Sequence, residues 1–296
     1  MVITRSTNQT LTLAAQRNLQ SNMTRMAALQ EKVSTQQKIS RPSDDPSGTA
    51  ASLKVRAEQA AVQQYGRNIA NGNGWLTTLD SAMGTATGIL NRIRDLTLQG
   101  ANDSVPPAAR QAIAVELEGL RADLLSQANT QYLGRSVFAG TSDAAGAYTS
   151  GQPPVFNGVA GAVVERRIAP GTTVRVDADG AAVFGTGTGS VFSLVDSIVA
   201  DLRGGTNIGK HIAAIDARHE AFIGQYADIG TRHAQLLRAE EMNMDLAGLL
   251  EAQRSGVEDV DAGQAILEMN LQEVNYRTAL AVTAKVLQPT LMDFLR

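Results

Sequence analysis

Residues 39–50 read ISRPSDDPSGTA. The segment interrupts a chain that is patterned as helix on both sides. Pro42 biases Arg41 away from helical backbone, so a helix arriving from the N-terminus stops there. Pro46 suits the first position of a new helix, where its missing N–H costs nothing. Asp45 before it suits the N-cap, since its carboxylate can accept a backbone N–H and complement the positive end of the helix dipole. Pro42, Ser43, Asp44, Asp45 and Pro46 therefore read as a joint between two helices. Metal ligation or carboxylate catalysis is the rival reading of the Asp pair. Adjacent side chains diverge, and no His, Glu or Asp cluster accompanies them, which favours the cap.

Outward from the joint, proline-free stretches permit long helices at 1–41 and 171–288. Apolar residues recur there at intervals of three and four, the helical period. One run is Leu76, Leu79, Met83, Ala86, Leu90, Ile93. A second is Ile113, Leu117, Leu120, Leu124. A third is Ile208, Ile212, Ile215, His219, Phe222, Tyr226, Ile229, His233, Leu236. The longest runs from Leu246 through Leu250, Gln253, Val257, Val260, Gln264, Leu267, Leu271 and Val274 to Thr278 and Ala281, a coiled-coil spacing. A weaker N-terminal run holds Leu19, Met23, Met26, Gln30 and Val33.

Between the helical halves lies a different composition. Residues 140–190 hold ten of the 27 glycines. The Pro170-Gly171 and Asp179-Gly180 pairs read as turns among Val163, Val164, Ile168, Val174, Val176, Val183 and Phe184. A small all-β insert of short hairpins over 138–189 is expected. The fold class is then mainly α, an elongated antiparallel bundle or coiled-coil stem formed by both termini, with the β domain at its tip. The expected domains are a 1–41 arm paired with 255–296, a helical stem of 42–137 with 190–254, and the outer insert.

Charge supports pairing of the ends. Residues 1–41 carry six Lys/Arg against one acid, net +5, whereas 255–296 carry three against six, net −3. The N-terminal 41 residues contain no aromatic residue. Such a helix pair buries little surface, so the arms are expected to be loosely held in a monomer and ordered by neighbours.

Composition also excludes. The 296 residues include no cysteine, which removes disulfides, cysteine-ligated zinc and thiol catalysis. A net charge of −3 gives no general pull toward nucleic acid or acidic membranes. No apolar run approaches the roughly 18 residues of a membrane span. The first twenty residues lack a secretory apolar core, so any export is expected to proceed without a cleaved signal peptide.

Four stretches, in order, carry a resemblance: VSTQQKISRPSDDPSGTAASLKVRAEQAA, ILNRIRDLTLQGAND, GRSVFAGT and VNYRTALAVTAKVLQPTLMDFLR. They resemble the flagellin family of bacterial axial proteins, and within it the hook-associated, junction-type members. The form Arg41-Pro42-Ser43-Asp44-Asp45-Pro46-Ser47-Gly48 is junction-like, as are GRSVFAGT at 134–141 and the ending LMDFL. The resemblance implies a structural protein with no enzymatic role and no cofactor. It also implies export by the flagellar type III apparatus, an extracellular place between hook and filament, and a ring-like oligomer. Expected partners are copies of itself, the neighbouring hook-associated protein, flagellin and an export chaperone on the C-terminal helix, with no nucleic acid or membrane. Assembly seams are expected at Leu19, Met23, Met26 and Val33, and at Val257, Val260, Leu267, Leu271, Val274, Leu287 and Phe294. The resemblance overrides one local reading. NGNG at 71–74 looks like a turn, but the family's helix continues through it.

Other candidate chemistry is thin. His219 and His233 share the helical seam, 14 residues and so about 21 Å apart, too far for one ion. They read as seam residues, with a pH switch as the sharper alternative. FGTGTGS at 184–190 is GxGxG without a βαβ setting, and reads as a return linker before a helix starting near Val191. Trp75 reads as a bundle anchor. Gln253 and Gln264 read as register-setting polar seam positions. Rival functions are flagellin itself and, less well supported, a helical sensor module with a ligand-binding insert.

Overall fold

The computed structural model describes residues 8–159 and 161–286. Seven helices dominate: α1 (Asn8–Thr35), α2 (Pro46–Gly100), α3 (Pro107–Ala128), α4 (Gly180–Phe184), α5 (Val191–Arg203), α6 (Ile212–Glu258) and α7 (Ala262–Val286). Strands β1 (Gln131–Tyr132) and β2 (Arg135–Ser136) form one antiparallel hairpin, and β3 (Glu165–Ala169) and β4 (Thr172–Arg175) another. The fold is mainly α with a few short strands. The chain divides into two compact units, Ala61–Ala247 and the pair of segments Met1–Ala60 with Gly248–Arg296.

The Ala61–Ala247 unit holds a single large apolar core. On α2 the buried stripe is Ile69, Leu76, Leu79, Met83, Ala86, Leu90 and Ile93. On α6 it is Ile215, Phe222, Ile229 and Leu236, on α3 Ile113, Leu117 and Leu124, and on α5 Val195, Ile198 and Leu202. Those on α2, α3 and α6 are the three-and-four stripes of the sequence, and the α5 stripe adds to them. Each buried Leu, Ile or Phe contributes about 1.5–3 kcal/mol as an upper estimate, because unfolded chains are themselves partly collapsed.

Polar rungs fix α2 against α6. His233 Nε2 lies 2.8 Å from Asn73 Oδ1, and His219 Nε2 lies 2.8 Å from Asn91 Oδ1. Arg94 Nε donates to Asp216 at 2.6 Å. Both seam histidines are half-buried, each with an asparagine partner. Helices α3 and α5 are tied by Arg121 and Asp196, 2.7 Å apart, with Arg121 only 8% exposed.

Helix α2 runs unbroken through NGNG, and close packing explains the glycines. A Cβ on Gly72 would sit 3.2 Å from Val176 and 3.4 Å from Leu236. A Cβ on Gly74 would overlap the Tyr132 ring. Trp75 next to it is buried, its ring 5.7 Å from that of Tyr132 and 6.0 Å from the Arg166 guanidinium. The local cost of glycine in a helix is offset by the approach of other elements.

The insert is tied down by side chains more than by ladders. Phe138, Tyr148, Phe184, Phe192 and Phe222 form one aromatic cluster, with ring centroids 5.1–6.0 Å apart in neighbouring pairs. The Tyr148 hydroxyl lies 2.6 Å from the Gly180 carbonyl and 2.8 Å from that of Gly185, and burial pushes its phenol well above the ordinary range. Fully buried Asp177 accepts from Val164 N and Arg175 Nε, both at 2.9 Å. Asp179-Gly180 departs from the hairpin expectation. Asp179 accepts from Ala181 N at 2.9 Å and caps α4, which carries Val183 and Phe184 into the core. The return linker does precede a helix starting at Val191, capped by Ser190.

Candidate functional site: the paired helix breaks

The Asp pair at the first break does two separate jobs. Asp44 closes a turn: its Oδ2 accepts from Arg41 N at 2.9 Å, and its own N donates to Arg41 O at 2.9 Å. Asp45 caps α2. Its Oδ1 accepts from Gly48 N at 2.9 Å and from the Ser47 hydroxyl at 2.7 Å. The Gly48 bond, first among the causes, holds the Asp45 carboxyl below the usual carboxylate range. Pro46 is the first residue of α2, and Pro42 and Ser43 are exposed in the turn before it.

A second break, absent from the sequence reading, faces the first. The C-terminal run is not one helix: α6 ends at Glu258 and α7 begins at Ala262. Val257 is in the last turn of α6, and Val260 lies in the break. Asp261 restarts the helix, its Oδ1 accepting from Gly263 N at 2.9 Å and Gln264 N at 3.1 Å. The signal was available as Asp261 three residues before Gln264, a helix-start signature. Sustained heptad spacing obscured it.

The two breaks are stitched together. Lys38 N donates to Glu258 O at 2.7 Å, and Val260 N donates to Gln36 O at 3.1 Å, making a short antiparallel bridge between Gln37 and Asp259. Gln36 takes a positive φ of 57° to leave α1. Beside the bridge Glu258 is 5% exposed. Its carboxylate accepts from Arg56 Nε at 2.6 Å and Nη2 at 2.8 Å, from Arg254 Nη1 at 3.0 Å, and from the Ser52 hydroxyl. Arg56, above all, draws the Glu258 pKa down to about 2. Arg254 also reaches Glu251 at 2.7 Å, and Gln59 donates to that carboxylate at 2.9 Å. No metal-holding group of three or more His, Cys, Asp or Glu occurs among the described residues.

Helices α1 and α7 pack antiparallel in this unit. On α1 the half-buried positions include Leu19, Asn22, Met26, Leu29 and Val33, whereas Met23 is 52% exposed. On α7 they include Met269, Gln272, Tyr276, Ala279 and Thr283, with Ala265 buried. Gln272 Nε2 donates to Asn22 O at 3.3 Å. Leu267, Leu271 and Val274 lie off this face, 60%, 56% and 61% exposed. The expected seam thus divides. Leu19, Met26 and Val33 are partly covered by the chain itself, while Met23, Leu267, Leu271 and Val274 are not. The reason is that α7 is apolar on more than one side, so hydrophobicity alone could not say which side meets α1. Leu287 and Phe294 lie outside the described residues.

Residues 6–143 match the bacterial flagellin N-terminal helical region. The chain is thus similar to flagellar structural proteins, flagellins and hook-associated proteins alike. Flagellin FlaB1 of Treponema pallidum is 26% identical over 274 residues, 92% of each chain. Two solved structures share the fold. A flagellar hook-associated protein from Vibrio parahaemolyticus gives a TM-score of 0.67 at 24% identity, covering 73% of this chain and 100% of that one. The flagellar junction protein FlgL from Legionella pneumophila gives 0.60 at 16% identity, covering 71% and 100%. The homologues are structural flagellar proteins, not enzymes.

Proposed function

We propose that this chain forms the junction between the flagellar hook and its filament. The observation that carries the reading is the junction-type helix joint, Arg41-Pro42-Ser43-Asp44-Asp45-Pro46-Ser47-Gly48, stitched to a second break at 259–261. The likeness of fold to hook-associated and junction chains over their whole solved length supports it. The chain is exported by the flagellar type III apparatus and works outside the cell. Its arms, 1–41 with 255–296, assemble as the inner part of a ring-like oligomer. The 42–137 and 190–254 helices form the stem, and the 138–189 insert faces outward. Met23, Leu267, Leu271 and Val274 are apolar and exposed in the single chain. They supply the surface that neighbouring subunits cover, and before export a chaperone shields the C-terminal helix.

A second reading is the filament subunit itself, favoured by the full-length match to FlaB1. Stoichiometry in isolated flagella separates the two. A junction protein is a minor band beside a more abundant flagellin. An abundance equal to or above every other filament band establishes the filament subunit instead.

A further inference from the structure

Three Asn-Gly pairs occur in the chain: Asn71-Gly72, Asn73-Gly74 and Asn157-Gly158. In such a pair the glycine nitrogen can attack the asparagine Cγ, because glycine has no side chain to hinder the approach. The fold decides which of the three is free to react.

Two pairs are locked. Both lie inside α2, where each glycine N–H is held by the carbonyl four residues earlier. Their side chains are engaged as well. Asn71 Oδ1 accepts from Arg166 Nε at 2.8 Å, and Asn73 Oδ1 lies 2.8 Å from His233 Nε2. The chemically related Asp179-Gly180 pair is also held, since Gly180 N donates to Phe138 O at 2.9 Å.

Asn157-Gly158 is different. It lies in the insert, half-buried and outside every helix and strand. Neither the Gly158 N–H nor Asn157 Oδ1 has a hydrogen-bond partner among the described residues. Neighbouring groups hold the pair in place without blocking it. Asn157 N donates to Ala147 O at 2.8 Å, and Asn157 Nδ2 donates to Gly146 O at 3.3 Å. The Ser142 hydroxyl donates to Asn157 O at 2.9 Å. That donor faces the oxygen on which charge collects when Gly158 N loses its proton, so it favours the attacking anion. Packing also demands glycine here. A Cβ on Gly158 would overlap the Phe156 ring, which itself lies 5.2 Å from that of Tyr148. The fold thus keeps a labile pair where a bulkier, slower residue does not fit.

We propose that Asn157 is a covalent modification site, deamidating through a cyclic imide with Gly158. The bond from Gly158 N to Asn157 Cγ forms, and the Cγ–Nδ2 bond breaks. The side-chain amide leaves as ammonia, with the Gly158 amide proton as its third hydrogen. Water then opens the imide at either carbonyl, giving aspartate or isoaspartate, with no change of oxidation state. Either product adds a negative charge to the insert. In isoaspartate the former main-chain carbonyl becomes a free carboxylate, and the backbone gains a carbon before Gly158. The Ser142 bond then runs to a charged group off the main chain. This chemistry belongs to the insert alone and holds for a junction protein and a filament subunit alike.

The purified full-length chain would be aged in mildly alkaline buffer, folded and in denaturant, and then digested with trypsin. Residues 136–166 form one tryptic peptide whose sole asparagine is Asn157, and residues 68–92 form another that holds Asn71 and Asn73. An unaged sample corrects for conversion during digestion, and denaturant gives each peptide its unprotected rate. In the folded chain the 136–166 peptide should convert about a hundredfold faster than the 68–92 peptide, because the Gly72 and Gly74 N–H groups are freed only when α2 opens. Equal folded rates, or protection of Asn157 as strong as that of the α2 pairs, overturns the proposal. Asn157→Gln should abolish the conversion, since glutamine would need a larger ring. Conversion that persists in this variant comes from another residue and also overturns it. Ser142→Ala separates assistance from restraint. The variant should convert severalfold more slowly. A hydroxyl that merely restrained the loop would give faster conversion on removal, which would contradict the role given to Ser142.

Discussion

Arg56 and Glu258, 202 positions apart in sequence, meet through two hydrogen bonds of 2.6 and 2.8 Å beside the bridge that joins the two helix breaks. The pair ties the early turns of α2 to the last residue of α6. Neither residue stood out in the sequence. Arg56 is one of many surface-patterned basic residues, and Glu258 falls within an apolar run.

This ion pair makes stability depend on acid. The folded-state pKa of Glu258 is depressed to about 2 from an ordinary 4.5, chiefly by Arg56. Its contribution is therefore full above about 4.5 and disappears as pH falls through about 2. Denaturant titrations across that window should show stability falling with acid, and Glu258→Gln should flatten the fall. An unchanged slope in the variant would place the acid sensitivity elsewhere.

Two glycines of α2 should respond oppositely to alanine. A Cβ at Gly74 would collide with Tyr132, so Gly74→Ala should cost about 1–3 kcal/mol by overpacking. At Gly88 a Cβ meets nothing within 4 Å, so Gly88→Ala should stabilise by about 0.5–1 kcal/mol through helix propensity. Equilibrium unfolding of both variants checks the pair.

Asp45→Ala removes the carboxylate that holds Gly48 N and Ser47. The expected loss is about 1 kcal/mol, and Asp45→Ser should recover most of it, because serine also caps. Asp44→Ala tests the neighbouring role. It should loosen the 41–44 turn while leaving the α2 start intact, which amide exchange at Gly48 reads separately.

Helix α1 should exchange its amides readily in dilute monomer. From 13 to 35 no α1 residue is fully buried, whereas α2 buries Ile69, Leu76, Leu79 and Met83 almost completely. Low protection over 13–35 beside strong protection over 69–97 is the expected pattern. Strong protection in both would mean that the α1–α7 pair is stable without neighbours.

Where burial was one-sided, sequence was sufficient. Leu76 to Ile93 and Ile208 to Leu236 each present one apolar stripe, and each stripe is the buried one. NGNG misleads locally, because the reason for its glycines, the Tyr132 ring and Leu236, lies far along the chain. On α7 the stripes are several, and the chain alone covers only the Ala265 to Thr283 side. The second break was hidden by spacing that stayed near 3.5 through Val257, Val260 and Gln264, although Asp261 marked the restart. Of the candidate site, the Asp45 cap was legible because a cap is local. Glu258 was not, since Arg56 and Ser52 come from a helix that starts about two hundred residues earlier.

The central claim is a place in the flagellum, and deletion of the gene tests it most directly. The junction account predicts cells with intact hooks, no attached filament and flagellin monomer released into the medium. Complementation should restore filaments, and a chain with Pro42, Ser43, Asp45 and Pro46 all replaced by alanine should restore them poorly. Deletion that removes the filament subunit itself, leaving no flagellin in the medium, would contradict the account.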